Sequence, residues 1–138
     1  MKVFIDATIL VAVLNKEYPL FPYGAKLLSL GDRFGFELCT SPTCIAIAFY
    51  FSSKKCGEEH SKRKIGTLLE HIRLTNIDES CTLHAVNNPK ILDLEDGMQY
   101  YSALQAACDV IVTENLGDFH FSEIRTYNCR DFLIQEVR

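Results

Sequence analysis

Residues 93–119 read DLEDGMQYYSALQAACDVIVTENLGDF. The middle of this stretch is apolar enough to be core, and both of its ends carry carboxylates: Asp93, Glu95 and Asp96 at one, Asp118 at the other. Asp93 and Asp96 have the spacing of a capping box in front of GMQYYSALQAA, which reads as a helix over 97–107. DVIVT, 109–113, is a short β-branched run of the kind that forms a buried strand. A helix feeding directly into such a strand is half of a parallel crossover unit. The bracketing acids are then either caps and loop residues or groups that the fold gathers around a cation.

Working outward, the same alternation continues. KVFI, 2–5, is a short buried strand, and ATILVAVLN, 7–15, is a helix too apolar for a surface but suited to packing on a sheet. Pro19 and Pro22 break the chain before a helix over 23–30 that Gly31 ends. GFELCT, 35–40, is a strand. Ser41 as N-cap and Pro42 at the first helical position open the helix PTCIAIAFYF, 42–51. A loop around Gly57 precedes an amphipathic helix over 58–72 with Ile65, Leu68, Leu69 and Ile72 on one face. RLTNI, 73–77, reads as a strand and 78–88 as a helix closed by Pro89, with a last short strand and helix over 124–137. The whole predicts an α/β domain with a mainly parallel sheet and helices on both faces. With 138 residues and no repeat or linker, one domain over 1–138 is expected.

Parallel sheets bind ligands at the carboxyl ends of their strands. Asp6 follows the first strand directly, Thr113 ends DVIVT, Asn115 and Asp118 lie in the next loop, and Asp96 stands at the helix that leads in. If those two strands are neighbours, Asp6, Asp96 and Asp118 share one edge of the sheet. Each acid has an ordinary alternative: a cap for Asp6, cap and helix-dipole roles for Asp93 and Asp96, a solvated loop position for Asp118. Together they are harder to dismiss. Two carboxylates about 4 Å apart repel by roughly 4 kcal/mol at an effective dielectric near 20. Three therefore call for a cation or a raised pKa. Oxygen donors of this kind suit Mg²⁺ or Mn²⁺, which polarise phosphates and activate water.

Charge is uneven. Residues 1–73 hold ten Lys/Arg and seven Asp/Glu, a balance of +3; residues 74–138 hold four and eleven, a balance of −7. This is an acidic site beside a mildly basic surface, not a strongly basic nucleic-acid binder. Five basic residues (Lys54, Lys55, Lys62, Arg63 and Lys64) fall close together, either a solvated helix start or contacts to RNA phosphates. Six cysteines without C-x-x-C spacing fit reduced thiols in a cytoplasmic protein, and no apolar run is long enough to cross a membrane. The seven glycines form no phosphate loop, and the four histidines suggest neither a zinc site nor a hydrolase triad. Tyr100 and Tyr101 are adjacent and face different sides of their helix; core packing accounts for at least one.

VFIDATILVAVL at the start, the block from Asp93 to Phe119, and the trailing YNCRDFL resemble a PIN domain of the bacterial toxin type, the VapC-like ribonucleases. The resemblance spans nearly the whole chain. It implies an α/β/α sandwich, about four acids holding Mg²⁺ or Mn²⁺, and cleavage of single-stranded or structured RNA. It also implies a homodimer and an antitoxin partner. By position it assigns catalytic and metal-binding roles to Asp6, Asp96 and Asp118, with Asp93, Thr113, Asn115 and Thr8 as helpers. Two features depart from it. Ala7 and Thr8 follow the first acid where the family has Thr/Ser and Asn/Ser, and the helix 42–51 has no acid, Ile47 standing near that place. Two readings follow: a metal-dependent ribonuclease, or a PIN-like module with weakened chemistry that binds RNA or a partner protein.

Overall fold

The computed structural model describes all residues, Met1–Arg138. Five short strands run parallel in one sheet: β1 (Lys2–Ile5), β2 (Glu37–Thr40), β3 (Arg73–Leu74), β4 (Val110–Val112) and β5 (Arg125–Tyr127), in the order β3-β2-β1-β4-β5. Seven helices cover it: α1 (Ala7–Leu14), α2 (Leu20–Ser29), α3 (Pro42–Cys56), α4 (Glu58–Leu68), α5 (Glu79–Asn87), α6 (Leu94–Gln105) and α7 (Cys129–Glu136). Helix α1 packs against both α2 and α3, α4 against α3 and α7 against α2, while α5 and α6 pair with each other. This is the expected α/β/α sandwich, with a sheet parallel throughout. Its central strands read as unbroken apolar runs because both faces are covered: Val3, Phe4, Ile5, Val110, Ile111 and Val112 are all fully buried.

Strand order fixes where a site can form. The chain moves from β1 out to β2 and β3, then returns to the other side of β1 for β4. The crevice outside the carboxyl ends of β1 and β4 is the switch point at which open α/β sheets bind ligands. Main-chain bonds lock the two residues that border it. Asp6 N–H donates to the Val112 carbonyl at 3.0 Å, and Thr113 N–H to the Tyr127 carbonyl at 2.9 Å. Asp6 and Thr113 are thus positioned by the ladder itself.

Several boundaries differ from the sequence expectation, each for a local reason. Helix α2 starts at Leu20, which puts Pro22 in its first turn, where a missing N–H breaks no intrahelical bond. Helix α3 runs on to Cys56, so the basic run is helical almost throughout; Gly57 alone, at φ 86°, turns the chain into α4. Strand β3 has two residues in place of the expected 73–77. Thr75 N–H still bonds the Thr40 carbonyl at 2.8 Å, but the Asn76 carbonyl is taken by the Ser102 hydroxyl of α6 at 2.6 Å. A side chain from the facing helix replaces the ladder there. Helix α6 begins at Leu94, three residues early, so Glu95 and Asp96 lie in its first turn. All six cysteines are free thiols, and no helix is long and apolar enough to cross a membrane.

Candidate metal centre

Asp93 is the N-cap of α6: its Oδ1 accepts from Asp96 N–H at 3.2 Å. The reciprocal half of a capping box is missing, because the Asp96 carboxylate makes no hydrogen bond back to the backbone. Capping therefore accounts for Asp93 and not for Asp96. Carboxylate oxygens of Asp93, Asp96 and Asp118 lie within 4.8 Å of one another. Asp118 reaches the group from the single turn of 3₁₀ helix at Leu116–Phe119, which Asn115 precedes. Phe119 anchors that turn by burying its ring beside Phe121.

Asp6 stands outside this trio, at the floor of the crevice, and is only 4% exposed. Its Oδ1 accepts from Ala7 N–H at 2.8 Å and its Oδ2 from the Thr113 hydroxyl at 2.7 Å. The Thr113 Oγ1 in turn accepts from Asn115 N–H at 3.0 Å, which ties the loop that carries Asp118 to the base of Asp6. Thr8 Oγ1 accepts from Glu114 N–H at 3.5 Å, a weaker brace on the same loop. A cavity of about 440 Å³ opens over Asp6 and Asp96, and Thr8, Asn115, Ile47, Glu95, Glu114 and Glu17 also line it.

The charges are not compensated. Asp96 is 6% exposed, receives no hydrogen bond on its oxygens and has no basic partner. Burial first, then the charges of Asp6, Asp93, Asp118 and Glu95, push its pKa up to about 8. Burial also raises Asp6, with Asp118 and Asp93 adding to it and the bonds from Thr113 and Ala7 opposing it. Glu95 is raised as well, by burial and by Asp93 and Asp6. Crowded carboxylates with no basic partner are what a divalent cation would satisfy. The donor set is all carboxylate oxygen with water access, which fits Mg²⁺ or Mn²⁺ better than a softer metal.

Two contributors were not among the site residues picked from the sequence, although Glu95 was noted there as one of the bracketing acids. Gln99, one turn beyond Asp96 and fully buried, accepts a hydrogen bond from Ser41 at the start of α3. Ser41 Oγ accepts from Cys44 N–H at 3.0 Å, and Cys44 Sγ lies 4.0 Å from Asp6 Oδ1. This chain of contacts holds α6, α3 and Asp6 in register. The other is Glu95, whose place beside Asp96 in a helix's first turn looks like ordinary dipole compensation. The basic run divides. Lys55 Nζ donates to the Asn15 carbonyl at 2.6 Å and Lys64 Nζ to the Leu14 carbonyl at 2.8 Å, so both close the C-terminus of α1. Lys54 lies over the Tyr50 ring, Arg63 pairs loosely with Glu59 at 3.7 Å, and Lys62 borders a groove between α3 and α4.

The PIN domain family profile matches residues 2–117. Among solved structures the chain is similar to VapBC-1 from nontypeable Haemophilus influenzae, with 20% identity over 94% of this chain and 99% of that one and a TM-score of 0.73. It is similar to Rickettsia felis VapBC2 bound to a promoter DNA fragment, at 18% identity, 93% and 98% coverage and a TM-score of 0.70. It also resembles Mycobacterium tuberculosis VapC20, a sarcin-ricin loop cleaving toxin, at 12% identity, 89% and 98% coverage and a TM-score of 0.67. At such identities these likenesses speak for the fold. No curated protein matches the sequence.

Proposed function

The chain belongs to the PIN domain family, and on that premise we propose that it is an endoribonuclease dependent on Mg²⁺ or Mn²⁺, the toxin of a toxin–antitoxin pair. In this reading residues 1–138 form a single PIN-like domain that works in the cytoplasm on single-stranded or structured RNA. The observation that carries it is Asp96, a buried residue whose carboxylate has no hydrogen-bond or basic partner and lies within 4.8 Å of both Asp93 and Asp118 at the switch point of the sheet. A carboxylate kept there for stability alone would cost the fold free energy with nothing to offset it.

Asp6, Asp96 and Asp118 would hold the cation, and Asp93 would help through the oxygen that does not cap α6. Bound there, the cation would polarise a scissile phosphate and lower the pKa of a water near it. The protein supplies the rest. Thr113 fixes the Asp6 carboxylate by its hydroxyl and steadies the Asn115 loop. Thr8 and Asn115 border the cavity and offer it polar side chains. Lys54, Lys62 and Arg63 are the basic residues left to meet RNA phosphates, since Lys55 and Lys64 are engaged with α1. The neighbours described as VapBC complexes support an antitoxin partner for this chain. A homodimer is supported by α3, where Tyr50 and Phe51 are about half exposed and Phe49 half-buried.

Calorimetric titration with Mn²⁺, followed by RNA cleavage with and without chelator, tests the reading. Metal binding with chelator-sensitive cleavage is expected. A second reading rests on Ile47, an aliphatic side chain in the wall of the cavity. In it the fold retains binding of RNA or a partner but not turnover, and RNA would bind without being cut.

A further inference from the structure

Ile47 sits one helical turn beyond Cys44, the residue of α3 that touches Asp6, and lines the same cavity as Asp6 and Asp96. The wall that α3, α1 and the start of α2 give this cavity is apolar at Ile47, Phe51, Val11 and Leu20. Any further negative ligand must therefore come from the three glutamates on its rim, Glu17, Glu95 and Glu114. Glu114 is committed elsewhere: its Oε2 accepts from Cys129 N–H at 2.8 Å, at the start of α7. Glu17 follows the far end of α1, an eight-residue helix. At 1.5 Å per residue that helix separates Glu17 from Asp6 by about 12 Å.

Glu95 remains. It precedes Asp96 in the first turn of α6, makes no hydrogen bond or ion pair, and lines the cavity beside the unpartnered carboxylate of the buried residue Asp96. It lies beyond the 4.8 Å trio as the side chains stand. Its three rotatable bonds allow it to turn inward toward a cation. We infer that Glu95 supplies the further carboxylate of the centre from α6, in place of an acid at position 47 on α3; this rests on the metal-centre reading above. The ligand it would help hold is a divalent cation with oxygen preference, and its contribution is charge facing the cavity side of Asp96, where the aliphatic Ile47 contributes none.

The test is calorimetric titration of the full chain with Mn²⁺, with circular-dichroism melts to show that each variant folds. Glu95→Gln is expected to weaken binding by about 10- to 100-fold, the range found for groups that support metal ligands. Glu17→Gln should titrate as the wild type does. Adding Ile47→Glu to Glu95→Gln should recover affinity, because it returns a carboxylate to the opposite wall of the same cavity. Should the double variant not fold, the single Glu95→Gln titration decides. If Glu95→Gln binds as the wild type while Asp96→Asn loses binding, the role of Glu95 is overturned and the metal centre stands. If the wild type itself binds no Mn²⁺, both are overturned.

Discussion

Asp96 carries the sharpest test at the scale of one residue. A carboxyl whose pKa rises on folding binds its proton more tightly in the native state, so it destabilises the fold once ionised. Without divalent metal, its contribution to stability is least harmful below about pH 4 and worsens as pH rises from its ordinary 3.8 toward about 8, then levels off. Urea denaturation of chelator-treated protein across this range should show that decline, and Asp96→Asn should flatten it. The variant should lose Mn²⁺ binding and cleavage while melting no lower than the wild type at neutral pH. A gain of about 1 kcal/mol from relieved repulsion would raise Tm by roughly 4 °C. A lower Tm with metal binding intact would make Asp96 a structural residue. Thr113→Val should behave oppositely. It removes the donor to a buried carboxylate and should cost about 1–3 kcal/mol in denaturant titrations. Asp6, Asp96 and Asp118 could be picked from the sequence because acids at strand ends and helix starts are conspicuous. Gln99 could not, since a glutamine in the helical stretch GMQYYS announces nothing about a serine 58 residues away.

Among elements, α6 and α1 have distinct dependencies. Gly97 follows Asp96 where α6 packs closely on its neighbours: an added Cβ would stand 2.7 Å from Ile91 Cγ2 and 3.1 Å from Ala85 Cβ. Gly97→Ala should cost about 1–3 kcal/mol by overpacking. It should also weaken Mn²⁺ binding, because the turn it displaces carries Asp96; a melt and a titration on the same sample check both. Helix α1 has Asp6 at its N-terminus and two lysines at its last carbonyls. Lys64→Met should cost about 0.3–1 kcal/mol, a loss that shrinks with added salt. The order of elements was legible from alternating patterns, and the strands β1 and β4 were read to within a residue or two. The missed limits share a cause. Strand β3 stops where the Ser102 hydroxyl captures a carbonyl, and α3 continues to Cys56 through residues whose polarity suggested a loop. Both outcomes are settled by partners distant in sequence.

For the whole molecule, surface and topology matter most. If α3 forms a subunit contact through Tyr50 and Phe51, sedimentation equilibrium should give a dimer that Tyr50→Lys with Phe51→Lys converts to a folded monomer. A wild-type monomer at high concentration would remove that contact from the proposal. The sandwich itself was readable because a run of helices between short apolar strands has few other solutions. The placement of β4 beside β1 was not, because periodicity says nothing about which strands become neighbours. That adjacency has a temporal consequence. Asp6 is made almost first, yet the strand that completes its surroundings and the Thr113 that holds its carboxylate come more than 100 residues later, at a sequence separation of 107. A chain still being synthesised can form β1, α1 and much of the α3–α4 side while its acidic cluster does not yet exist. Asp118 follows later still, so the acidic cluster at the switch point closes only when nearly the whole chain has been made.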